Sequence, residues 1–178
     1  LKLLQKVLDG YMMEHFWLDI RVTQPNNRYD IPRWHKDGAM LNNNMKMSKF
    51  ITVLKGDGTM FIKSTKNINS MYKKINDEQM NEMKKYPYDT LSKENQEHNL
   101  KEQIKVGEKY RPIYAKKFKN KKIIMINNNT GAIFFTGSDK DKAALHSEPK
   151  ITMPRMFISI LPNSRDNIEK IKIKFSQS

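Results

Sequence analysis

Arg33-Trp34-His35-Lys36-Asp37-Gly38 is the stretch from which the rest of the chain is read. In an extended or turn segment, residues two apart project to the same side, so the His35 imidazole and the Asp37 carboxylate can reach one metal ion. A His-x-Asp triplet is common by chance, and its weight here comes from residues much further along the chain. Gly131-Ala132-Ile133-Phe134-Phe135-Thr136-Gly137 is an apolar strand between glycines, and His146 comes after it in Leu145-His146-Ser147-Glu148-Pro149. Nine positions beyond that histidine stands Arg155, opening a strand over Met156 to Leu161. Two histidines and one carboxylate are the donor set of the non-haem Fe(II) facial triad, which leaves three coordination positions open. An arginine supplies a fixed, planar cation for a bound carboxylate.

Around these residues the sequence reads as many short strands. Phe16 to Thr23 alternates apolar and polar residues. Phe50 to Leu54, Thr59 to Lys63, Lys122 to Ile126, Ala132 to Thr136, Met156 to Leu161 and Ile171 to Phe175 are rich in Ile, Val, Phe or Thr and are bounded by Gly, Asn, Asp or Pro. Such a pattern predicts a sandwich or barrel. Leu1 to about Phe16 predicts an amphipathic helix through Leu3, Leu4, Val7, Leu8 and Tyr11, and Gln24 to Pro32 reads as loop. Between about Ser64 and Lys121 the character changes. Met71 to Lys85 and Leu91 to Val106 are rich in Lys, Glu, Gln and Met and read as helices separated by Pro87. This is a lysine-rich helical insertion in a β framework, ending in the basic run Lys116-Lys117-Phe118-Lys119-Asn120-Lys121-Lys122.

With 178 residues, 38% of them hydrophobic, the chain is expected to form one domain, 1–178, with a core of its own. It has no cysteine, which excludes a disulfide framework and thiolate ligands and leaves four histidines and the carboxylates to hold any metal. No apolar run is long enough to span a bilayer and no secretory leader is visible, so the expected setting is soluble and cytoplasmic. Because the chain opens at Leu1 rather than at a methionine, residues upstream are to be expected. The 33 Lys+Arg against 19 Asp+Glu leave a net charge of +14, which would suit a polyanion such as nucleic acid. Only six of the basic residues are arginine: Arg21, Arg28, Arg33, Arg111, Arg155 and Arg165. The rest are lysines in a chain crowded with Asn and Ile, the composition of A/T-rich coding, whereas readers of nucleic acid lean on arginine.

His-x-Asp, a long gap, a distal His, and an Arg or Lys about ten residues later is the pattern of the Fe(II)/2-oxoglutarate-dependent oxygenases. The chain resembles that family through His35, Asp37, His146 and Arg155. Gly56-Asp57-Gly58-Thr59-Met60-Phe61 is similar to the Gly-Gly-x-Thr-x-Phe turn and strand of prolyl-hydroxylase-like members, and Trp34 before the triad is similar to the Trp-His-x-Asp of phytanoyl-type members. The resemblance covers roughly Phe16 to Leu161. It implies a mainly β fold with helices, a double-stranded β-helix core of the jelly-roll or cupin-like type, carrying the helical insertion at about 64–121. It implies Fe(II) on His35, Asp37 and His146, with 2-oxoglutarate pairing its distal carboxylate with Arg155. Ser159, four residues on, would offer a hydroxyl to the same group. O2 is the oxidant and ascorbate an optional reductant. The implied reaction hydroxylates a C–H bond of an unidentified prime substrate, a protein side chain or small molecule, while 2-oxoglutarate is decarboxylated to succinate. Asp37 stands where halogenating relatives carry a small residue, which favours hydroxylation. The gap of 111 positions between the two histidines is longer than in compact members, and the insertion, either a lid or an outer decoration, accounts for it.

Two other functions fit the residues. A nucleic-acid-directed oxygenase or demethylase would use the positive charge and the Lys116 to Lys122 run with its aromatic Phe118. A non-catalytic metal-binding module would keep the fold and the ligands without turnover. Among the remaining candidates, His15 reads as a partly buried core histidine and His98 as exposed. Met71 to Met83 reads as helix packing, and Arg21 and Arg28, which precede the triad, read first as surface residues, with help in holding an anionic co-substrate as the alternative.

Overall fold

The computed structural model describes residues 2–11, 15–37, 47–87, 92–128, 130–136 and 143–176. Gly38, Leu91, Gly137 and residues 12–14 of the expected first helix lie outside them. The strands β1 (His15–Thr23), β2 (His35–Lys36), β3 (Met47–Lys55), β4 (Met60–Ile62), β5 (Ile123–Met125), β6 (Gly131–Thr136), β7 (Leu145–Ser147) and β8 (Arg155–Asn163) form two four-stranded sheets. One has the order β1-β8-β3-β6 and the other β2-β7-β4-β5, with every pairing antiparallel. The helices are α1 (Lys2–Tyr11), α2 (Lys66–Met83), α3 (Lys93–Phe118) and α4 (Arg165–Ser176). No helix among the described residues is long and apolar enough to cross a membrane.

Alternation along the short strands sorts their side chains into two environments. Met60 and Ile62 of β4, Leu145 of β7 and Trp34 beside β2 are buried against α2 and α3, while Phe61 turns the other way and packs with Ile51, Val53, Phe134 and Phe157 of the larger sheet. The second sheet thus has one face against the helices and one against the first sheet, and the triad lies on the latter. Arg33, His35 and Asp37 share the same odd-numbered phase and line cavities; Trp34 and Lys36, 3% and 8% exposed, point into the helical side.

The insertion falls between β4 and β5 as two antiparallel-packed helices. Thr65 and Ser92 cap them, their hydroxyls accepting from the backbone N–H of Ile68 and Asn95. Where the sequence predicts that the second helix ends near Val106, α3 runs on through Pro112 to Phe118. An interior proline costs about 3 kcal/mol. Val106, Tyr110, Tyr114 and Phe118 recur at every fourth position and are all buried, and that stripe outweighs the break. Phe118 is completely buried, so the aromatic of the basic run is a core residue and offers no platform for a base.

At the C-terminal end the strand expected over Ile171 to Phe175 is instead part of α4. The Ile-Lys-Ile-Lys alternation mimics a strand, but Ile168 and Ile171, three apart, both pack against Leu161 with Trp17 alongside, and burial on a helical period decides the conformation. His15 is exposed at the start of β1 rather than in a core. His98 is exposed, and Met71 and Met83 pack on the helical core, as the sequence predicts. Phe118→Ala should cost about 3–5 kcal/mol, the usual penalty for emptying a buried aromatic site; Lys116→Ala, two residues away on the exposed face, should change stability by less than about 0.5 kcal/mol. Urea denaturation of the two variants distinguishes them.

Candidate metal centre and the cavities around it

Antiparallel pairing of β2 on β7 places His35 directly opposite His146, and pairing of β7 on β4 places Phe61 on the other side of His146. The two imidazoles lie 4.3 Å apart between centroids, and His146 is further flanked by the rings of Phe61 at 5.7 Å and Phe134 at 4.9 Å. Asp37, two residues after His35, swings its Oδ1 to 3.6 Å from His35 Nε2 and 3.7 Å from His146 Nε2. Ligand atoms of the three side chains lie within 4.8 Å of one another, a spacing that one divalent ion can bridge.

The other ring nitrogens are engaged by backbone. His35 Nδ1 is 2.7 Å from the Arg33 carbonyl, and His146 Nδ1 is 3.1 Å from the Ala144 carbonyl. A carbonyl only accepts, so each Nδ1 carries a proton, and in the neutral imidazole Nε2 is then the atom with a lone pair, on the side of the cluster. This is the outer support that orients metal-binding histidines. Asp37 Oδ2 accepts from Lys49 Nζ at 2.9 Å, leaving Oδ1 for the ion.

The electrostatics keep Asp37 and His146 in the forms that can bind a metal. Burial pushes the Asp37 carboxyl up, but His146, Lys49 and His35 outweigh it and hold it at about 2. Burial, reinforced by the neighbouring His35, lowers His146 to about 4, so it is neutral at physiological pH. Glu148, two residues on, is pushed up by burial but held at about 2 overall, chiefly by Arg33, whose Nη2 donates to its Oε1 at 2.7 Å. Its Oε2 is buried and has no hydrogen-bond partner among the described residues.

Arg155 reaches the same cavity from β8. Its Nε donates to the Asp57 carbonyl at 2.8 Å and its Nη2 to the Thr59 hydroxyl at 2.8 Å, and its guanidinium sits 4.9 Å over the Phe157 ring. Gly56 makes this approach feasible, and Gly58 lets the turn pass close to the chain at Ile126. Gly56 has φ +88°, and a Cβ there would stand 2.9 Å from Arg155 Cα; a Cβ on Gly58 would fall 1.6 Å from the Ile126 carbonyl oxygen. The Gly-Asp-Gly-Thr turn therefore serves to hold the arginine. Ser159 is buried on β8 between its partners Asp19 and Ile51 and is not among the residues lining the cavity; Thr59 is. Lys49, Thr59 and Glu148 are the polar lining residues that sequence reasoning missed, beside the apolar Ile51 and Phe157. Thr59 belongs to the Gly-Asp-Gly-Thr turn, whose motif could have pointed to it, whereas nothing in the sequence marks one lysine among so many.

Beyond His35 a larger groove of about 380 Å³ runs along α2 and α3, past Tyr72, Met83, Ile104 and Tyr114. The helical insertion therefore forms a wall of the space that opens on the cluster. A third cavity, of about 190 Å³, lies beside Glu148 and Arg155.

His146 should make the metal-free protein acid-sensitive. Its folded value, about 4, lies below the ordinary 6.5, so the unfolded chain binds more protons across that window and stability falls as pH drops from 6.5 toward 4. Asp37, about 2 against 3.8, adds a further loss below pH 3.8. Urea midpoints recorded from pH 7 to 4 should fall, and His146→Gln should flatten the slope; an unchanged slope would mean that His146 titrates normally. No protein-family model, curated protein or solved structure matches the chain, so the role of the cluster rests on its own chemistry.

Proposed function

We propose that the chain is an Fe(II)- and 2-oxoglutarate-dependent oxygenase that hydroxylates a C–H bond of a small molecule or protein side chain. One observation carries this reading: two Nε2 lone pairs and one carboxylate oxygen converge while a buried arginine faces the same cavity. The sheet orders support it. Pairing first with eighth, third with sixth, second with seventh and fourth with fifth strands is the pattern expected of a double-stranded β-helix, two Greek keys rolled into facing sheets. The ligands fit a non-haem iron better than a structural zinc, because three protein donors leave coordination positions open.

In this reading iron, when bound, couples decarboxylation of 2-oxoglutarate by O2 to oxidation of the substrate. The chain's own part is placement. Arg33 and Ala144 carbonyls fix the two imidazoles, Lys49 pins the second oxygen of Asp37, and Arg155 offers its guanidinium to the distal carboxylate of the co-substrate. Phe61, Phe134 and Phe157 form an apolar flank that keeps water from the reacting centre. The space among these groups is about 50 Å³ as it stands, so seating the co-substrate requires the long, half-exposed side chain of Arg21 to swing aside. The buried position of Phe118 removes the aromatic on which a nucleic-acid reading of the basic run depended.

With Fe(II), 2-oxoglutarate and ascorbate the protein should form succinate, and His35→Ala should abolish it. Arg155→Gln should retain iron but raise the KM for 2-oxoglutarate at least about tenfold, the loss expected for one charge-assisted pair. Equal succinate formation by wild type and His35→Ala overturns the assignment; iron bound without 2-oxoglutarate consumption favours a non-catalytic module.

A further inference from the structure

Five of the six arginines in the sequence line one cavity. Arg21 comes from β1, Arg28 and Arg33 from the segment before β2, Arg111 from α3 and Arg155 from β8, and among the described residues Glu148 is the single carboxylate in the lining. The chain is rich in lysine, so positive charge at large is available without arginine; what gathers here is the planar fork that lysine lacks. Three carboxylates engage four of the five: Asp19 accepts from Arg21 Nε at 2.7 Å, Glu148 from Arg33 at 2.7 Å, and Glu108 lies 3.3 Å from Arg111 Nη1 and 3.9 Å from Arg28 Nε. Arg111 is further anchored, donating from Nε to the Ile31 carbonyl at 2.7 Å and from Nη2 to the Arg28 carbonyl. Arg111 and Arg155 are 7% and 4% exposed, so two of the guanidiniums are built into the floor, and backbone carbonyls hold both in place. Three carboxylates offset only part of the charge of five guanidiniums, so the cavity keeps a net positive charge that an anion would complete.

We propose that this cavity receives a phosphate group of a small-molecule prime substrate and so places the rest of that molecule in reach of the His35–Asp37–His146 cluster. The proposal rests on the reading of that cluster as the reaction centre. Several forks arranged around a space suit the three oxygens and double charge of a phosphate monoester better than the two oxygens of a carboxylate. Arg21, Glu148 and Arg155 line both this cavity and the one at the cluster, and Arg28, Arg33 and Arg111 line both this cavity and the helical groove. A molecule with its phosphate here can therefore extend toward the iron ligands or along α2 and α3. A nucleic-acid strand is the poorer occupant. The cavity is only about 190 Å³, and among the described residues its lining contains no aromatic on which a base could stack.

Calorimetry of the metal-free protein with inorganic phosphate and pyrophosphate tests this, with succinate and a short single-stranded oligonucleotide as comparison ligands. One saturable site is expected. Arg28→Gln/Arg33→Gln should weaken binding at least tenfold, Arg28→Lys should weaken it measurably, and Lys116→Gln/Lys117→Gln should leave it unchanged. Asp37→Ala, checked for folding by urea denaturation, should still bind phosphate while losing Fe(II). The absence of one-site binding, succinate binding as tightly as phosphate, equal loss in the lysine variant, or oligonucleotide binding that pyrophosphate does not displace would each overturn the proposal. Phosphate binding that fails while Fe(II) binding and succinate formation persist overturns the substrate class alone. Phosphate binding that persists where the iron chemistry fails overturns the oxygenase reading instead.

Discussion

Two short strands, β2 and β7, lie antiparallel with His35 directly opposite His146, and that register sets the position of nearly every other functional group. Slipping β2 against β7 by one residue would turn one histidine toward the helices while the other kept its place, and the two imidazoles would no longer converge. What resists the slip is the apolar phase on the outer side: Trp34 beside β2 and Leu145 of β7 are buried against α2 and α3, and a slipped strand would turn its own apolar residue away from them. The helical insertion thus acts on the centre in two ways. It forms a wall of the adjoining groove, and it fixes the register of the strands that carry the ligands.

A second constraint is electrostatic. A carboxylate and a neutral imidazole in a half-enclosed site must both remain in their basic forms, and burial works against the first while favouring the second. Lys49 resolves the conflict for Asp37 by direct contact. For His146, the same burial suffices. Placing Arg155 so close by would be unfavourable in an apolar site, and the Asp57 carbonyl and Thr59 hydroxyl compensate it with hydrogen bonds.

The parts of this arrangement legible in the sequence are those with a local signal. Period-two spacing put His35 and Asp37 on one side, and the longer strands announced themselves by composition and turn residues. The two strands holding the histidines did not, because two and three residues are too few to show a period; their pairing is a tertiary fact. Ile171 to Phe175 misled for the opposite reason, as a clear local alternation was overridden by packing on Leu161. The reach of α3 past Pro112 was hidden because a proline rule is local and the stripe that defeats it is not. Of the gathering of Arg21, Arg28, Arg33 and Arg111 only the first two, close before the triad, carried any hint of anion holding; the four come from three separate parts of the chain and meet only through the fold.

The separation of the two histidines along the chain has a further consequence. They stand 111 positions apart, with the whole helical insertion between them, in a protein without a disulfide. A cation gripped by both would act as a removable cross-link. In the simple chain model, closing a loop of that length withdraws on the order of 4–5 kcal/mol of conformational entropy from the unfolded ensemble. Metal occupancy and global unfolding would then be linked equilibria, and the folded lifetime of the protein in a cell would depend on the local supply of the ion as well as on the sequence that binds it.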